Sequence, residues 1–231
     1  VAASLAQAGE PGPLWVVAGQ QTSGRGSRGR DWDSSVGNLY ASLLIRPKLA
    51  PKDLAALPFI TALAVRDTFV AQGAPVADVR CKWPNDVLIR DRKASGILIE
   101  SSARSGGMLD HLIIGIGINI AFYPEVARYR ATCLREVTGQ DHEVRSVFST
   151  LSHKLFARLT NWKTENFSLV AQDWSNVAWG LGKHCTLRTT TESFTGIPER
   201  LASDGGLVVR LDDGSEKRLY AGDIFPVAAL E

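Results

Sequence analysis

Residues 79–100 read VRCKWPNDVLIRDRKASGILIE, and residues 111–120 read HLIIGIGINI. Short apolar runs bounded by turn-forming residues are typical of buried β-strands. The segments Asp91-Arg92-Lys93 and Ser105-Gly106-Gly107 between the runs are typical of hairpin turns. The pattern predicts strands over residues 79–82, 87–89, 94–100 and 111–120.

The residues on either side add further strands and helices. Upstream, strands are predicted over residues 14–18 and 38–45, with a long polar loop over residues 20–37 between them. An Ala- and Leu-rich stretch over residues 52–73 predicts a helix that ends at its glycine. Downstream, apolar residues at helical spacing predict helices over residues 144–162 and 167–177.

The sequence pattern changes after Gly180. Short alternating runs separated by Asp-Gly turns predict a small all-β module, with strands over residues 186–188, 192–197, 207–211 and 216–220. The sequence therefore predicts an α+β domain over residues 1–180, followed by a small barrel over residues 181–231.

Composition restricts the class of protein. The chain has 231 residues, 45% of them hydrophobic, which is enough for one sizeable core. Its 26 basic and 24 acidic residues leave a net charge of +2, which argues against a dedicated nucleic-acid-binding protein.

The longest apolar run, residues 112–121, is too short to span a bilayer. The wide spacing of Cys81, Cys133 and Cys185 favours buried thiols over a disulfide framework, so a soluble cytoplasmic protein is predicted.

The loop over residues 20–37 contains Gly24-Arg-Gly-Ser-Arg-Gly-Arg30, followed by Trp32. Glycine lets the backbone approach a ligand closely, and arginine offers planar donor pairs that suit carboxylates and phosphates. Trp32 adds an aromatic face on which a nucleobase would stack. From these residues alone two interpretations stay open: a ligand-binding loop, or a solvated arginine-glycine tract of the kind that also binds RNA.

Gly24, Gly26 and Gly29 also match the spacing of the dinucleotide-binding fingerprint. That fingerprint joins a strand directly to a helix, whereas these glycines lead into a polar segment and then a strand. A protein-kinase loop is excluded too, because no His-Arg-Asp or Asp-Phe-Gly motif follows.

Lys82-Trp-Pro-Asn-Asp86 ends a predicted strand. Proline restricts the residue before it to an extended conformation, and Pro-Asn-Asp favours a turn. The alternative is an ordinary turn with a surface charge pair. An ammonium, an indole, an amide and a carboxylate in so small a space favour a functional site.

Two glycine-containing strands complete the set. Lys93 opens Lys-Ala-Ser-Gly-Ile-Leu-Ile-Glu100; alone, it would be interpreted as an exposed hairpin lysine. Gly115 and Gly117 lie within a predicted strand, where glycine marks a bulge or the close approach of a ligand or another backbone. Asn119 would then serve a hydroxyl or a phosphate.

In this order, the four segments resemble the biotin protein ligases, and the resemblance runs from Gln20 to the end of the chain. It implies a catalytic domain similar in fold to class II aminoacyl-tRNA synthetases, with a mixed sheet and flanking helices, and a C-terminal SH3-like β-barrel. The helix-turn-helix domain that some relatives carry is not in this sequence, which suggests a purely enzymatic member.

The resemblance also implies the reaction and the partners. An ATP-dependent ligase of this family forms biotinyl-5'-AMP from biotin and ATP, and transfers biotin to a lysine of a carrier protein. The usual carrier is the biotin carboxyl carrier protein of acetyl-CoA carboxylase. No nucleic acid or membrane partner is implied, and a homodimer is compatible with the resemblance.

The resemblance assigns roles to individual residues. Catalysis would involve Arg25, Lys93 and Asp86, with Asp86 accepting the proton of the incoming lysine. The implied biotin-binding residues are Gln21, Gly24, Arg25, Lys93, Gly96, Gly115 and Gly117. The implied ATP-binding residues are Arg28, Arg30, Trp32, Asn85, Asp86 and Asn119. Mg²⁺ is expected with the triphosphate, held by Asn85 and Asp86.

Two alternatives of function remain beside this one. A lipoate or octanoate ligase or transferase of the same fold usually lacks the Lys-Trp-Pro-Asn-Asp cluster, so the sequence favours biotin. A non-catalytic biotin- or nucleotide-sensing module would be able to dispense with Arg25 or Lys93, and both are present.

One residue differs from the usual family pattern, and one family segment is expected to lie upstream of Val1. Many relatives have an arginine where Ser27 stands, so one contact to the bound adenylate is expected to be absent, with faster adenylate release. A Ser/Thr-Thr-Asn segment that contacts biotin in the family would fall just upstream of Val1, since residues 1–9 resemble the rest of the following helix. A longer native chain that includes this segment is therefore expected.

Overall fold

The structure, a computed structural model, describes residues 1–49, 51–104, 108–124, 130–162 and 167–227. These residues form a six-stranded sheet, a five-stranded sheet and five α-helices. The predicted turn at Ser105-Gly106-Gly107 lies outside the described residues.

The larger sheet has the strand order β1-β2-β6-β5-β4-β3. Its strands are β1 Leu14–Ala18, β2 Leu39–Ile45, β3 Val79–Lys82, β4 Asp86–Ile89, β5 Arg92–Ala103 and β6 Leu109–Ile118. Each strand predicted from the sequence in this region is present, and β5 extends three residues past the predicted end at Glu100. The apolar runs and turn residues were therefore sufficient to locate this sheet.

The prediction of a mixed sheet is wrong. Each pair of neighbouring strands in the six-stranded sheet is antiparallel. The physical reason is the short connections from β3 to β4, β5 and β6, which reverse the chain, whereas a parallel pair requires a long crossover. Within the described residues, parallel pairing is confined to two isolated bridges, Cys81 with Ala178 and Lys93 with Ala131.

The helices are α1 Ala2–Gln7, α2 Leu57–Ala71, α3 Leu134–Thr138, α4 Val144–Trp162 and α5 Phe167–Asn176. The bounds predicted for α4 are confirmed, because Val147, Leu151 and Leu155 repeat at helical spacing and are all buried. The first residues of the stretch predicted to form α2 instead belong to a 3₁₀ helix, Pro51–Ala56. The short α3 was not predicted.

The two faces of the larger sheet are covered differently. Along β6, Leu112, Ile114, Ile116 and Ile118 enter the main core, which also contains the buried residues of α2 and α4. Ile113 points the other way and packs with Ala2 and Ala6 of α1. Because side chains alternate along a strand, Gly115 and Gly117 share the face of Ile113. These glycines leave that face open beside the short α1.

Leu54–Ala71 is the one helical stretch among the described residues that is long and apolar enough to cross a membrane. Of this stretch, 61% is buried inside the protein. Its apolar residues are therefore used to fill the core between the sheet and α4.

The smaller sheet has the order β10-β9-β8-β7-β11. Its strands are β7 Cys185–Arg188, β8 Ser193–Leu201, β9 Leu207–Arg210, β10 Glu216–Leu219 and β11 Asp223–Pro226. The prediction of a closed barrel is not met within the described residues. A barrel requires its edge strands to pair, whereas β10 pairs only with β9 and β11 only with β7. The strand β11 was not predicted from the sequence.

The smaller sheet packs against the larger domain. Cys185, Leu187 and Ile224 belong to the same buried cluster as α2 and β3. Trp83 is buried beneath Gly222, where an added Cβ would lie 3.1 Å from the indole. The three cysteines are free and buried, as predicted.

Candidate active site

A pocket with a volume of about 230 Å³ opens on the face of the larger sheet that carries α1. Strands β2, β5 and β6 form its floor, the turn before β4 forms one side, and the arginine-glycine loop covers it. Of the residues predicted to bind or react, nine line this pocket: Gln21, Arg25, Trp32, Asn85, Asp86, Lys93, Gly96, Gly115 and Gly117.

Glycine shapes the floor of the pocket. Gly96 of β5 and Gly117 of β6 are direct partners across the two strands. The indole of Trp32 lies against both, and a Cβ added to either glycine would come within 2.7 Å of the ring. Any larger residue at these positions would displace the indole, so the two glycines explain how the loop approaches the sheet so closely.

The indole N–H of Trp32 lacks a hydrogen-bond partner in this position, in the described part of the chain. Its Nε1 is buried, and within the described residues it has no hydrogen-bond acceptor. A buried donor without an acceptor costs about 1–3 kcal/mol. The indole therefore covers the glycine floor at a cost that an incoming acceptor, or its own movement, would relieve.

Lys93 and Asp86 form an ion pair beside the floor. The Lys93 Nζ lies 2.6 Å from Asp86 Oδ1 and 5.3 Å from the centroid of the Trp32 ring. The Asn85 side chain donates to the carbonyl of Ile97 at 2.6 Å, which ties the turn before β4 to strand β5. An ammonium, a carboxylate and an aromatic face thus meet at one end of the pocket.

The Lys-Trp-Pro-Asn-Asp segment divides between two environments. Asn85 and Asp86 face the pocket, whereas Lys82 and Trp83 are buried toward the smaller sheet. The Lys82 Nζ lies 5.4 Å from the Trp179 ring and 5.3 Å from the Phe225 ring. Burial lowers the pKa of Lys82 from its ordinary value, against the opposing effect of the Asp86 carboxylate.

The loop arginines are held by carboxylates from two different sheets. Arg25 Nη2 donates to Glu100 Oε1 of β5 at 3.1 Å. Arg28 Nη1 and Arg30 Nη2 each lie 3.4 Å from Asp223, at the start of β11. Asp223 is largely buried, with 13% of its side chain exposed. Arg28 and Arg30 therefore contact the smaller sheet, and neither lines the pocket.

Two further residues predicted to bind ligands lie behind the pocket lining. Gly24 packs against the backbone carbonyl of Trp32 and the Ser34 hydroxyl, so it shapes the loop. Asn119 is buried, and its amide donates to the carbonyls of Thr132 at 3.0 Å and Lys93 at 3.4 Å. These hydrogen bonds hold the backbone around Lys93.

Several pocket residues were not assigned from the sequence. Glu100 ends the Lys93-Ala-Ser-Gly-Ile-Leu-Ile-Glu100 segment, and the sequence indicated no role for it. Tyr40 and Ser42 of β2 also line the pocket. They alternate along the strand with Leu39, Ala41 and Leu43, and this alternation could have shown that they face the other side of the sheet. The Tyr40 hydroxyl donates to the carbonyl of Ser35 at 2.7 Å, and burial raises the pKa of Tyr40.

The donor set is suited to a nucleotide-borne metal rather than to a metal held by protein alone. Within the described residues, no group of three or more His, Cys, Asp or Glu side chains is close enough to hold an ion. Asp86 and Asn85 offer one carboxylate and one amide oxygen at the pocket. Mg²⁺ usually takes one or two protein carboxylates, together with phosphates and water, so these residues fit such an ion.

Known proteins share both the sequence and the fold. The family model of the biotin/lipoate A/B protein ligases matches residues 2–119, and that of the biotin protein ligase C-terminal domain matches residues 180–225. The chain is 35% identical to a biotin–[acetyl-CoA-carboxylase] ligase of Paracoccus denitrificans, covering 94% of this chain and 92% of that one. It is 31% identical to the bifunctional ligase/repressor BirA of Bacillus subtilis, covering 95% of this chain and 68% of that one.

Among solved structures, the fold matches a biotin protein ligase from Aquifex aeolicus in complex with biotin and ATP. The TM-score is 0.79 at 31% identity, over 96% of this chain and 92% of that one. A biotin protein ligase of Leishmania major in complex with biotinyl-5-AMP matches with a TM-score of 0.64 at 28% identity. With family models, relatives and fold in agreement, the chain belongs to the biotin protein ligases.

Proposed function

We propose that this protein is an ATP-dependent ligase that joins biotin to AMP and then transfers the biotinyl group to a lysine of a carrier protein. One observation carries the proposal: a glycine-floored pocket flanked by Arg25 and Lys93, in a chain that belongs to the biotin protein ligases. A similar protein of Aquifex aeolicus holds biotin and ATP together.

In the first step, a carboxylate oxygen of biotin attacks the α-phosphorus of ATP, and pyrophosphate leaves. Biotin's carboxylate is already ionised at pH 7, so this step needs no general base. It needs cations that offset the repulsion between two anions and the charge that builds on the phosphate. Arg25 and Lys93 supply these cations at the pocket.

In the second step, the amine of the carrier lysine attacks the biotinyl carbonyl, and AMP leaves. A lysine amine with a pKa of about 10.4 must first lose its proton. Asp86 is the carboxylate proposed to accept it. The 2.6 Å contact with Lys93 holds Asp86 at the end of the pocket where the two steps would occur. Asp86 would accept the proton after Lys93 has turned from it to the phosphate.

The two ligands are proposed to bind on opposite sides of Lys93. Biotin would contact Gln21, Gly96, Gly115 and Gly117, and ATP would contact Asn85 and Asp86, with Trp32 against adenine. Arg28 and Arg30 would reach ATP only after they leave Asp223. Gly24 and Asn119, expected to bind biotin and ATP, would act from behind the pocket lining through the backbone that they hold. Because the indole of Trp32 now covers Gly96 and Gly117, biotin would reach this floor only after the indole moves away. The displaced indole would then be able to stack on adenine.

Mg²⁺ is proposed to arrive with ATP and to be held by Asp86 and Asn85. When bound, the ion would offset the negative charge of the phosphates. Asp86 now pairs with Lys93. The Asp86 carboxylate and the Lys93 ammonium would therefore both contact a metal-bound triphosphate at this end of the pocket.

The domain architecture, the carrier protein, the cellular compartment and the oligomeric state are also proposals. We infer a catalytic domain over residues 1–180 that is similar to class II aminoacyl-tRNA synthetases, and an SH3-like arrangement over residues 181–231. The antiparallel sheet, with α2 and α4 on one face and α1 on the other, and the five short C-terminal strands support this. The proposed carrier is the biotin carboxyl carrier protein of acetyl-CoA carboxylase, and the proposed compartment is the cytoplasm, which suits three free cysteines. A homodimer is the proposed assembly.

Exchange of label from pyrophosphate into ATP tests the proposal. The protein is mixed with ATP, Mg²⁺ and labelled pyrophosphate, together with biotin, lipoate, octanoate or no acid. Exchange that depends on biotin identifies the ligase. Exchange that depends on lipoate or octanoate would identify the alternative activity, and no exchange with any acid would refute adenylation.

A further inference from the structure

Glu100 is a carboxylate of the pocket to which the proposed reaction gives no role. It lies on β5 opposite Ile113 of β6, so the hydrogen-bond ladder of the sheet fixes its backbone. Its side chain lines the pocket together with Arg25. Arg25 Nη2 lies 3.1 Å from Glu100 Oε1 and 3.4 Å from Oε2.

The geometry of this ion pair leaves part of the guanidinium free. Both contacts use Nη2, and within the described residues no acceptor is bonded to the Nε or Nη1 of Arg25. A guanidinium presents five N–H donors in a planar fork. Arg25 is therefore held at one nitrogen by the rigid strand, while its other donors are available to an anion in the pocket.

The pair contributes little to stability. The side chain of Arg25 is 64% exposed and that of Glu100 is 39% exposed. Exposed ion pairs shift a conformational equilibrium by about fivefold at most. The benefit of this contact is thus orientation, because the loop residue Arg25 would otherwise sample many rotamers.

Charge gives a second reason for the pair. Glu100 places a negative charge in a pocket that is proposed to bind a carboxylate and a triphosphate. Arg25 neutralises this charge while it is directed toward the pocket. Without Arg25 the carboxylate would repel the ligands, and without Glu100 the guanidinium would lose its fixed support.

We infer that Glu100 is a positioning residue: it holds the Arg25 guanidinium over the pocket for the acyl-adenylate step. The inference rests on the proposed function. Glu100 acts through Arg25 and does not touch the reacting atoms. Its loss reduces the fraction of Arg25 that is correctly placed when charge builds on the phosphate.

The experiment measures biotin-dependent pyrophosphate exchange by the whole chain and by four variants: Glu100→Gln, Glu100→Asp, Arg25→Ala, and the double variant Glu100→Gln/Arg25→Ala. Glu216→Gln is the matched control, because Glu216 forms a similarly exposed pair with Arg200 outside the pocket. Thermal unfolding of each variant checks that the fold is intact.

Glu100→Gln is expected to lower kcat roughly two- to fivefold, the population shift that an exposed ion pair provides, with the KM for ATP almost unchanged. Glu100→Asp should restore part of the rate. The double variant should be no slower than Arg25→Ala, because Glu100 acts only through Arg25. Glu216→Gln should behave as wild type.

Additive losses in the double variant, or wild-type kcat in Glu100→Gln, would overturn the inference. So would an equal loss in Glu216→Gln. Absence of biotin-dependent exchange in the wild type would instead refute the proposed function, so the two failures are distinguishable.

Discussion

The floor of the pocket and the loop that covers it are held by different forces. Gly96, Gly115 and Gly117 are held by the backbone hydrogen bonds of β5 and β6, which do not depend on side-chain charge. Arg25 is held by Glu100, 75 residues away, and Arg28 by Asp223, 195 residues away. The floor is therefore a fixed surface, whereas the position of the loop depends on ion pairs that salt and ligand anions weaken.

This difference suggests a division of labour. A rigid floor would select the ligand by its shape. A loop whose arginines can exchange their carboxylate partners for a ligand would bring positive charge to an anionic ligand. Substitutions in the floor and in the loop, made in the full chain, test the two halves separately.

Lys93→Ala should have the largest effect, because Lys93 lies between the floor and the loop. Losing a charge-assisted contact to the developing phosphate charge should slow adenylate formation by about 10²-fold or more. Biotin-dependent pyrophosphate exchange measures this loss. Lys217→Ala is the control, because Lys217 pairs with Glu192 outside the pocket. Near-normal exchange by Lys93→Ala would show that the lysine is only a surface residue.

Gly117→Ala should disturb the floor. A methyl group there would project into the space that the Trp32 indole now fills at 2.7 Å, and biotin would meet the same methyl group once the indole has moved. Overpacking of this kind costs about 1–3 kcal/mol. We expect biotin to bind roughly tenfold or more weakly by calorimetry. Gly19→Ala is the control, because Gly19 lies outside the pocket and an added Cβ there would have no neighbour within 4 Å. Wild-type affinity in Gly117→Ala would mean that the ligand does not use this floor.

Ser27→Arg should strengthen the contact between the loop and the bound adenylate. Ser27 lines the pocket, and Arg28 and Arg30 contact Asp223 instead, so an added guanidinium would not be redundant. One charge-assisted contact is worth about 1.5–3 kcal/mol, so biotinyl-adenylate should be released roughly ten- to a hundredfold more slowly. Filter binding of preformed adenylate measures the release rate. Ser35→Arg, with the same charge outside the pocket, is the control; equal slowing by both would indicate a general charge effect.

Asp223→Asn should have the smallest effect on the loop. Arg28 and Arg30 would lose their shared carboxylate and would have to be ordered by the ligand alone. We expect the KM for ATP to rise several-fold, by about 1 kcal/mol, with the KM for biotin almost unchanged. Asp213→Asn, in a turn of the same sheet, is the control. A larger change in biotin than in ATP would contradict the assignment of these arginines to the nucleotide.

The same contrast explains what the sequence predicted and what it did not. The period of apolar residues located α4 and the strands that bear Gly96 and Gly117, because those signals are local. It did not identify Asp223 or Glu100 as partners of the arginines, because side chains 75 or more residues apart leave no periodic signal. The resemblance placed Trp32 near adenine, and only the structure revealed its contact with the glycines.

The proposed function depends most directly on formation of the adenylate in this pocket. The protein should be incubated with biotin, ATP and Mg²⁺ without a carrier, and the protein-bound small molecules identified by mass spectrometry. We expect biotinyl-5'-AMP on the wild type, and its conversion to AMP and a biotinylated lysine when the biotin carboxyl carrier protein is added. Unchanged biotin and ATP, with no adenylate, would contradict it.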